Sequence, residues 1–265
     1  MDSLTDIVDL DRYPIQSADS AKLRGFAADC RRQYRDQGVL LLTRFLTPGG
    51  LERMAGEARA AAPKSFRQVK QHNVYLCEDD PSFEPEHPRR RRLRTSNSTV
   101  ADCDIAADGA LRRLYGSPAI RRFFATVTGK PGLYPYTDPL SPLNLGVTAK
   151  GQTLAWHFDR SDFAITLLLQ EALRGGQFEY VSRIRGDHRD NYSGIEKLLD
   201  GDRSGVQTLD MRAGTLVLFQ GRYSIHRVTR VEGDQDRLLA VLSYDERPDQ
   251  RMPAYTQKTF YGRAA

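Results

Sequence analysis

Two histidines and an aspartate in this sequence have the residue types and the spacing of a metal site. His157 and Asp159 are separated by one residue, and His226 lies much later in the chain. Because residues two apart in an extended segment point to the same side, His157 and Asp159 can bind one ion together. Two imidazoles and a carboxylate on one face of an octahedron leave the other face open, as non-haem Fe(II) centres require for dioxygen. We therefore predict that His157, Asp159 and His226 bind a ferrous ion.

An arginine follows this set at a position suited to binding a carboxylate. Arg237 comes after the turn Glu232-Gly233-Asp234, at the start of the apolar run 238–244. A guanidinium binds a carboxylate through two parallel hydrogen bonds, which favours arginine over lysine at such a position. A 2-oxo acid that chelates the metal at one end leaves its far carboxylate in need of a counter-charge. We predict that Arg237 binds the distal carboxylate of 2-oxoglutarate.

The second half of the chain supplies the elements that would position these residues. Short runs of β-branched and aromatic residues follow one another, with turn residues between them. The predicted strands cover residues 143–148, 163–169, 177–184, 205–209, 215–219, 226–231 and 238–244. Strands at such regular spacing predict a sandwich or barrel, and the separation of His157 from His226 leaves room for the intervening strands of a jelly roll.

The first half is predicted to be mostly helical. The predicted helices cover residues 20–36, 48–63 and 105–127, with a buried strand at 39–42 and a later helix at 191–199. Residues 78–94 are rich in proline, arginine and acids, which predicts a mobile loop that could act as a lid. We expect a single catalytic domain, with a helical elaboration over 1–130, a jelly-roll core over 131–250 and a tail over 251–265.

The composition argues for a cytoplasmic protein with no membrane association. The chain of 265 residues is long enough for one well-buried core. It has no run near the ~18 apolar residues that a membrane helix needs, and its start lacks the pattern of a signal peptide. The three cysteines are widely separated and form no CxxC pair, which predicts reduced thiols rather than disulfides or a thiolate metal site.

The order of the motifs resembles a known superfamily. The HxD motif at His157 is followed by GGQFEYV at 175–181, by AGTLVLFQG at 213–221, and then by His226 and Arg237. This order resembles the iron(II)- and 2-oxoglutarate-dependent oxygenases, whose fold is a double-stranded β-helix of the cupin-like jelly-roll type. The resemblance covers roughly residues 143 to 245. It implies a mainly β fold with flanking helices, an Fe(II) cofactor, and 2-oxoglutarate and O2 as cosubstrates that yield succinate and CO2.

A narrower resemblance concerns the reaction. The segments 157–170 and 175–180 are similar to a small bacterial group of free amino acid halogenases and hydroxylases. Halogenases of this group have glycine where hydroxylases have the carboxylate ligand, and the vacated position takes chloride. This sequence has Asp159 there. The resemblance therefore implies hydroxylation, or another oxidative outcome such as desaturation, rather than halogenation.

The substrate residues are inferred from the same resemblance. Members of the group bind the substrate carboxylate with an arginine before the core, and Arg94 stands at the corresponding place. Lysine-specific members have an acid just after the HxD motif, where this sequence has Arg160. The resemblance thus implies a free amino acid or related small polar metabolite that carries a neutral or anionic group instead of an ammonium. Alternatively, Arg160 forms an ion pair with Asp162 or Asp187.

Two other functions stay open. The chain has 39 Lys and Arg against 34 Asp and Glu, and the run Arg89 to Arg92 holds part of the excess. Such a run suits a nucleotide or another phosphate-bearing small molecule as substrate, although most arginine runs are solvated loops. Nucleic acid is not expected, because no basic stripe is interleaved with aromatic residues. A non-catalytic jelly-roll binding protein is the third alternative. The expected assembly is a monomer or a homodimer.

Overall fold

The computed structural model describes residues 3–17, 21–186 and 190–265, which form two main antiparallel sheets and a set of helices. The helices are α1 (Ala21–Gln37), α2 (Pro48–Ala61), α3 (Ala110–Gly116), α4 (Pro118–Thr128), α5 (Tyr192–Leu199) and α6 (Ala254–Tyr261). The strands are β1 (Val39–Leu42), β2 (Phe66–His72), β3 (Leu93–Val100), β4 (Tyr134–Pro135), β5 (Leu143–Thr148), β6 (Leu154–His157), β7 (Ala164–Gln170), β8 (Phe178–Val181), β9 (Gln207–Leu209), β10 (Leu216–Phe219), β11 (Ile225–Val228), β12 (Arg237–Leu242) and β13 (Tyr244–Asp245).

Local sequence signals account for the ends of the N-terminal helices. The Thr47 hydroxyl accepts a hydrogen bond from the Gly50 amide at 3.0 Å, and Pro48 takes the first position of α2. Helix α4 likewise begins at a proline, and it ends at Gly129, whose φ of 74° lies in the left-handed region that favours glycine. Within the described residues, no helix is long and apolar enough to cross a membrane.

The strands form a larger and a smaller sheet, whose facing sides enclose a cavity. The larger sheet has the order β1-β10-β7-β12-β5-β3-β2, and the smaller one has the order β6-β11-β8-β9. Neighbouring strands in both sheets run antiparallel, and the strand order requires several crossovers. The prediction of a mainly β fold with flanking helices is confirmed.

Alternation along the strands divides the larger sheet into two faces with different roles. On β5, Leu145 and Val147 belong to the main hydrophobic core, whereas Asn144 and Gly146 line the cavity. The core face is covered by side chains of α1, α2, α3 and α4. The helices of the first 130 residues therefore brace the back of the sheet and leave its other face free for the cavity.

Three elements that shape the cavity were not predicted. Strands β2 and β3 join the edge of the larger sheet, so Arg94 lies in a strand instead of at the end of a loop. Helix α6 forms within the segment that we expected to be a tail. The cavity-facing side of β2 carries the polar residues Lys70 and His72, so the strand lacks the apolar alternation on which a strand prediction rests.

Candidate metal centre

The structure brings His157, Asp159 and His226 together between the two sheets. His157 ends β6, Asp159 follows two residues later, and His226 is the second residue of β11. Strands β6 and β11 pair so that His157 and His226 lie directly opposite each other. One potential ligand atom from each of the three residues lies within 4.8 Å of the others, an arrangement that could hold a metal ion. The register of two strands thus unites residues that are far apart in the sequence.

Backbone hydrogen bonds orient both imidazole rings. The Nδ1 atom of His157 lies 2.9 Å from the Ala155 carbonyl oxygen, and the Nδ1 atom of His226 lies 3.0 Å from the Ser224 carbonyl oxygen. A carbonyl oxygen can only accept, so each Nδ1 must carry the proton and donate it. Each Nε2 lone pair is then free to bind a metal, which is the usual arrangement around a metal-ligating histidine.

The charges in this cluster suit a divalent cation. Asp159 Oδ1 lies 3.6 Å from His157 Nε2 and 3.5 Å from His226 Nε2. Burial opposes the ionisation of Asp159, but the two neighbouring imidazoles outweigh it and hold the pKa of the carboxyl well below its usual range. Burial, together with the nearby His226, lowers the pKa of His157. One carboxylate and two imidazoles form the donor set that a ferrous ion takes.

Gly221 makes space for the Asp159 carboxylate. A β-carbon placed on Gly221 would lie 1.8 Å from Oδ2 and 2.5 Å from Cγ of Asp159. The Asp159 amide also donates to the Gly221 carbonyl at 3.0 Å, which fixes the two backbones close together. Gly221 is the last residue of the motif AGTLVLFQG, but the sequence alone gave no sign of this contact. We identify it as a position where a side chain would displace a metal ligand.

Arg237 lies in the same cavity as the predicted metal ligands. The cavity has a volume of about 310 Å³, and its walls include His157, Asp159, His226 and Arg237. Arg237 is only 4% exposed, and its guanidinium has no hydrogen bond or ion pair among the described residues. Burial lowers the pKa of its guanidinium to about 10. A buried cation without a counter-charge is costly, so the site is suited to an anionic ligand.

The structure does not bring Arg94 to this cavity. Arg94 is exposed. The next residue, Thr95, points to the opposite side of β3, and its hydroxyl forms a hydrogen bond of 2.7 Å with His72. Asn97 and Thr99, on the side of Thr95, line the cavity instead. A carboxylate bound near the metal would therefore lie on the other face of the strand from Arg94.

Arg160 lies close to the rim of the cavity. Its guanidinium donates to the Leu76 carbonyl at 2.7 Å, and Leu76 is one of the residues that line the cavity. Asp162, one of the two acids considered as a partner for Arg160, instead pairs with Lys130 and Arg222. The other acid, Asp187, lies outside the described residues.

Sequence reasoning missed a polar residue of the cavity wall that lies at the edge of the same sheet as Arg237. Polar or loop surroundings and the lack of ligand spacing predict that His72, His87 and His188 are surface residues. His72 is 7% exposed and lines the cavity, so this prediction is wrong for His72. His188 lies outside the described residues. The ring of His72 packs edge-on against that of His157, with centroids 6.3 Å apart. An alternating polar strand at a sheet edge looks like a solvated segment, and only the tertiary fold shows what covers it.

The segment 73–92, which links β2 to β3, is tied to α5 and to its own backbone. Asn73 donates to the Arg89 carbonyl at 2.6 Å, and Arg89 donates to the Tyr192 hydroxyl at 2.8 Å. The ion pairs of the arginine run are Arg89–Asp190, Arg90–Asp79, Arg91–Asp200 and Arg92–Asp79. These arginines are paired within the chain, which gives the run a structural role. Opening of the predicted lid would require these contacts to break together.

Comparisons with known proteins agree with this architecture. A family model described as Halogenase D matches residues 24–261. A 2OG-Fe(II) oxygenase family protein from Burkholderia pseudomallei is 14% identical, with 85% of this chain and 94% of that chain covered and a TM-score of 0.53. The epimerase SnoN from nogalamycin biosynthesis is 17% identical, with 83% and 81% covered and a TM-score of 0.58.

A third solved structure carries ligands. HygX from Streptomyces hygroscopicus, with nickel, 2-oxoglutarate and hygromycin B bound, is 15% identical, with 82% of this chain and 86% of that chain covered and a TM-score of 0.53. At these identities the likeness is one of fold, and it confirms the double-stranded β-helix. A comparison with curated proteins found no match.

Proposed function

Because the chain belongs to the Halogenase D family and has the fold of the iron(II)- and 2-oxoglutarate-dependent oxygenases, we propose that it is a hydroxylase. Its substrate in this proposal is a free amino acid or a related small polar metabolite, which is hydroxylated at an unactivated C–H bond. The enzyme uses Fe(II), 2-oxoglutarate and dioxygen and releases succinate and CO2.

The observation that carries this proposal is the complete ligand set. His157, Asp159 and His226 offer three atoms within 4.8 Å of one another, and both histidines have Nδ1 committed to a backbone carbonyl. The buried carboxylate of Asp159 attracts a cation, and without a bound cation its negative charge has no counter-charge. The residues therefore fit a divalent metal, and the donor types fit iron(II).

The surrounding residues support an oxidation on a bound small molecule. When bound, the iron and 2-oxoglutarate would supply the oxidising power that transfers one oxygen atom to the substrate. The chain holds the two imidazoles in one tautomer, keeps Asp159 ionised, and offers Arg237 to the distal carboxylate of the cosubstrate. The apolar residues Leu239 and Val241 of β12 line the cavity and exclude water from the place where the substrate would react.

Asp159 supports hydroxylation over halogenation, although the family model is named for halogenases. A carboxylate at this position supplies the third protein ligand, so chloride would have to compete with it for the metal. Gly221 leaves space for that carboxylate, which indicates that the local backbone accommodates an acid at position 159. Hydroxylated product is therefore expected whether or not chloride is present.

The test is spectroscopic and chemical. Addition of 2-oxoglutarate to the anaerobic protein with Fe(II) is expected to give a visible charge-transfer absorption. In chloride-free buffer Asp159→Ala should lose it, because one protein ligand is removed and no chloride can replace it. Turnover with a panel of amino acids should give substrate-stimulated succinate and a product that has gained one oxygen atom. Full activity of Asp159→Ala would contradict the assignment. Asp162→Ala is the matched control, because Asp162 pairs with Lys130 and Arg222 instead of facing the histidines.

A further inference from the structure

Lys70 is a second cation on the cavity wall, and its charge is not neutralised. It lies on β2, lines the cavity and is partly buried, and no ion pair joins it to an acid within the described ranges 3–17, 21–186 and 190–265. Its ammonium lies 4.7 Å from the centre of the Phe260 ring of α6, a contact that holds the side chain against the wall. Burial and the charge of Arg160 lower the pKa of Lys70. Lys70 is therefore a cation without a counter-ion inside a small-molecule cavity.

Side-chain amide atoms without hydrogen-bond partners lie near Lys70. Gln68 is two residues before Lys70 on the same side of β2, and it is directly opposite Asn97 of β3. Both side-chain polar atoms of Gln68 and the Oδ1 atom of Asn97 are buried without a hydrogen-bond partner in the described part of the chain. Buried polar atoms are nearly always satisfied in native proteins, so an unpaired group of this kind indicates a missing partner such as a ligand.

The sheet register separates this group from Arg237. Arg237 of β12 is opposite Thr148 of β5, and β5 pairs in turn with β3, where Ser98 is opposite Val147. Gln68 of β2 is opposite Asn97, the neighbour of Ser98 on β3. Strands β12 and β2 are therefore three strand spacings, about 14 Å, apart in the larger sheet. In the proposed function one carboxylate of 2-oxoglutarate chelates the metal and the other pairs with Arg237, so neither is left for Lys70, which is available to a second anion.

We propose that Lys70, Asn97 and Gln68 form a subsite that binds the carboxylate of the primary substrate. This inference rests on the proposed function, and it assigns to these residues the carboxylate contact that we expected from Arg94. The ammonium of Lys70 matches the charge of the carboxylate, and the amide nitrogens Nε2 of Gln68 and Nδ2 of Asn97 can donate hydrogen bonds to its oxygens. The unpaired Oδ1 atom of Asn97 can accept a hydrogen bond from the ammonium that neighbours the carboxylate in an amino acid. A substrate held here extends along the wall from β2 towards the metal ligands, past His72, whose ring contacts that of His157.

The experiment compares free L-amino acids with their carboxamides, which keep the side chain and ammonium but lack the carboxylate charge. Each compound is titrated calorimetrically into the anaerobic Fe(II) and 2-oxoglutarate complex of the wild-type protein. We expect acids from this panel to bind at least about tenfold more tightly than their amides, since a charge-assisted hydrogen bond is lost with the carboxylate. A wild-type protein that shows no such preference for any pair overturns the subsite.

Substitutions of single residues show which side chains are responsible for the preference for acids over amides. Lys70→Met should abolish the preference for the acid over the amide, and Lys70→Arg should retain it. Asn97→Asp should weaken the binding of the acid, because its carboxylate repels that of the ligand. Thermal unfolding confirms that each variant is folded. Arg94→Met is the matched control, because Arg94 lies on the other face of the same sheet and should leave the preference unchanged. The proposal is wrong if the preference persists in Lys70→Met or is lost in Arg94→Met.

A separate measurement distinguishes this proposal from the assignment of the enzyme class. The 2-oxoglutarate requirement for the charge-transfer absorption should be the same in Lys70→Met and in the wild-type protein. A raised requirement would mean that Lys70 binds the cosubstrate, which overturns the subsite. Absence of the absorption in the wild-type protein would defeat the proposed function itself, whereas its presence without a carboxylate preference would defeat the subsite alone.

Discussion

At the residue scale, the metal site depends on the lack of a β-carbon at Gly221 as well as on the three predicted ligands. Gly221 has no side chain where the Asp159 carboxylate passes, and its φ does not lie in the left-handed region. An alanine at 221 would therefore be compatible with the local φ angle, and its β-carbon would clash with the Asp159 side chain. This makes position 221 a selective probe of ligand placement.

Gly221→Ala is expected to weaken metal binding while the protein stays folded. The added methyl group would push Asp159 away from the two histidines, and loss of one well-placed ligand should lower the affinity for Fe(II) by about tenfold or more. Calorimetric titration of the metal-free protein with Fe(II) under anaerobic conditions measures the change. Gly56→Ala is a suitable control, because a β-carbon there meets no atom within 4 Å. Equal affinity of the Gly221→Ala and wild-type proteins would contradict the placement of Asp159 as a ligand.

Arg237 is expected to act on the cosubstrate and not on the metal. Arg237→Ala removes the buried guanidinium from the cavity, so the concentration of 2-oxoglutarate needed for half-maximal charge-transfer absorption should rise by roughly 10- to 100-fold, the loss of a bidentate charged pair. Arg237→Lys should recover only part of this loss, because an ammonium does not form the two-point contact. Iron binding measured without 2-oxoglutarate should be nearly unchanged. An unchanged 2-oxoglutarate requirement in Arg237→Ala would move the anchor to another residue.

At the scale of the elements, the strand that carries His226 is held from its outer side by a charged pair. Arg227 of β11 lies opposite Glu179 of β8 and contacts its carboxylate at 2.6 Å, and Arg203 contacts the same carboxylate at 2.5 Å. Arg227 also lies 4.7 Å from the centre of the Trp156 ring, on the strand that carries His157. This outer cluster therefore connects the two strands of the metal site to β8.

Glu179→Gln is expected to lower stability and to flatten its dependence on pH. Burial opposes ionisation of Glu179, but the two guanidinium groups outweigh it and hold its pKa below the ordinary value of 4.5. The charged form is thus favoured by folding, so its contribution is fully present above about pH 4.5 and is lost as the pH falls through the lower folded pKa. Loss of the charge at neutral pH should cost about 1–3 kcal/mol, because charge-assisted hydrogen bonds are removed.

Denaturant unfolding between pH 3 and pH 7 provides the measurement. The difference in the free energy of unfolding between the wild-type protein and Glu179→Gln should be largest at neutral pH and should shrink in acid. Glu196→Gln serves as a control, since Glu196 lies on α5 and no ion pair involves it in the described part of the structure. A difference that stays constant over the whole range would show that the carboxylate charge contributes nothing.

At the scale of the whole molecule, the sequence predicts the metal half of the cavity better than the substrate half. The HxD motif, the later histidine and Arg237 lie in or beside apolar strands, where turn residues and β-branched runs indicate both the element and its limits. The predicted helices and most strands of the second half correspond to elements of the structure. Local sequence therefore contains most of the information that fixes this half.

The substrate half depends on contacts that no local pattern records. The inward side chains of β2 and β3 are polar, so their burial results from the placement of α6 and the smaller sheet over them. Lys70, Asn97 and His72 therefore lie in segments whose sequence is typical of a solvated surface, whereas the resemblance to known enzymes points to Arg94. The face on which a residue lies is set by strand register, which is a property of the folded sheet.

The position of β2 has a consequence for how enzymes of this kind can diverge. This strand has only one neighbour, because it lies at the edge of the larger sheet, and α6 follows the last strand of the chain. Replacement of inward side chains on these two peripheral elements leaves the strand pairing of the metal site unchanged, because β11, which holds His226, lies between β6 and β8 in the smaller sheet. Mutations that alter substrate preference can thus accumulate in a lineage while cofactor use is conserved, and libraries for directed evolution are best placed at these positions.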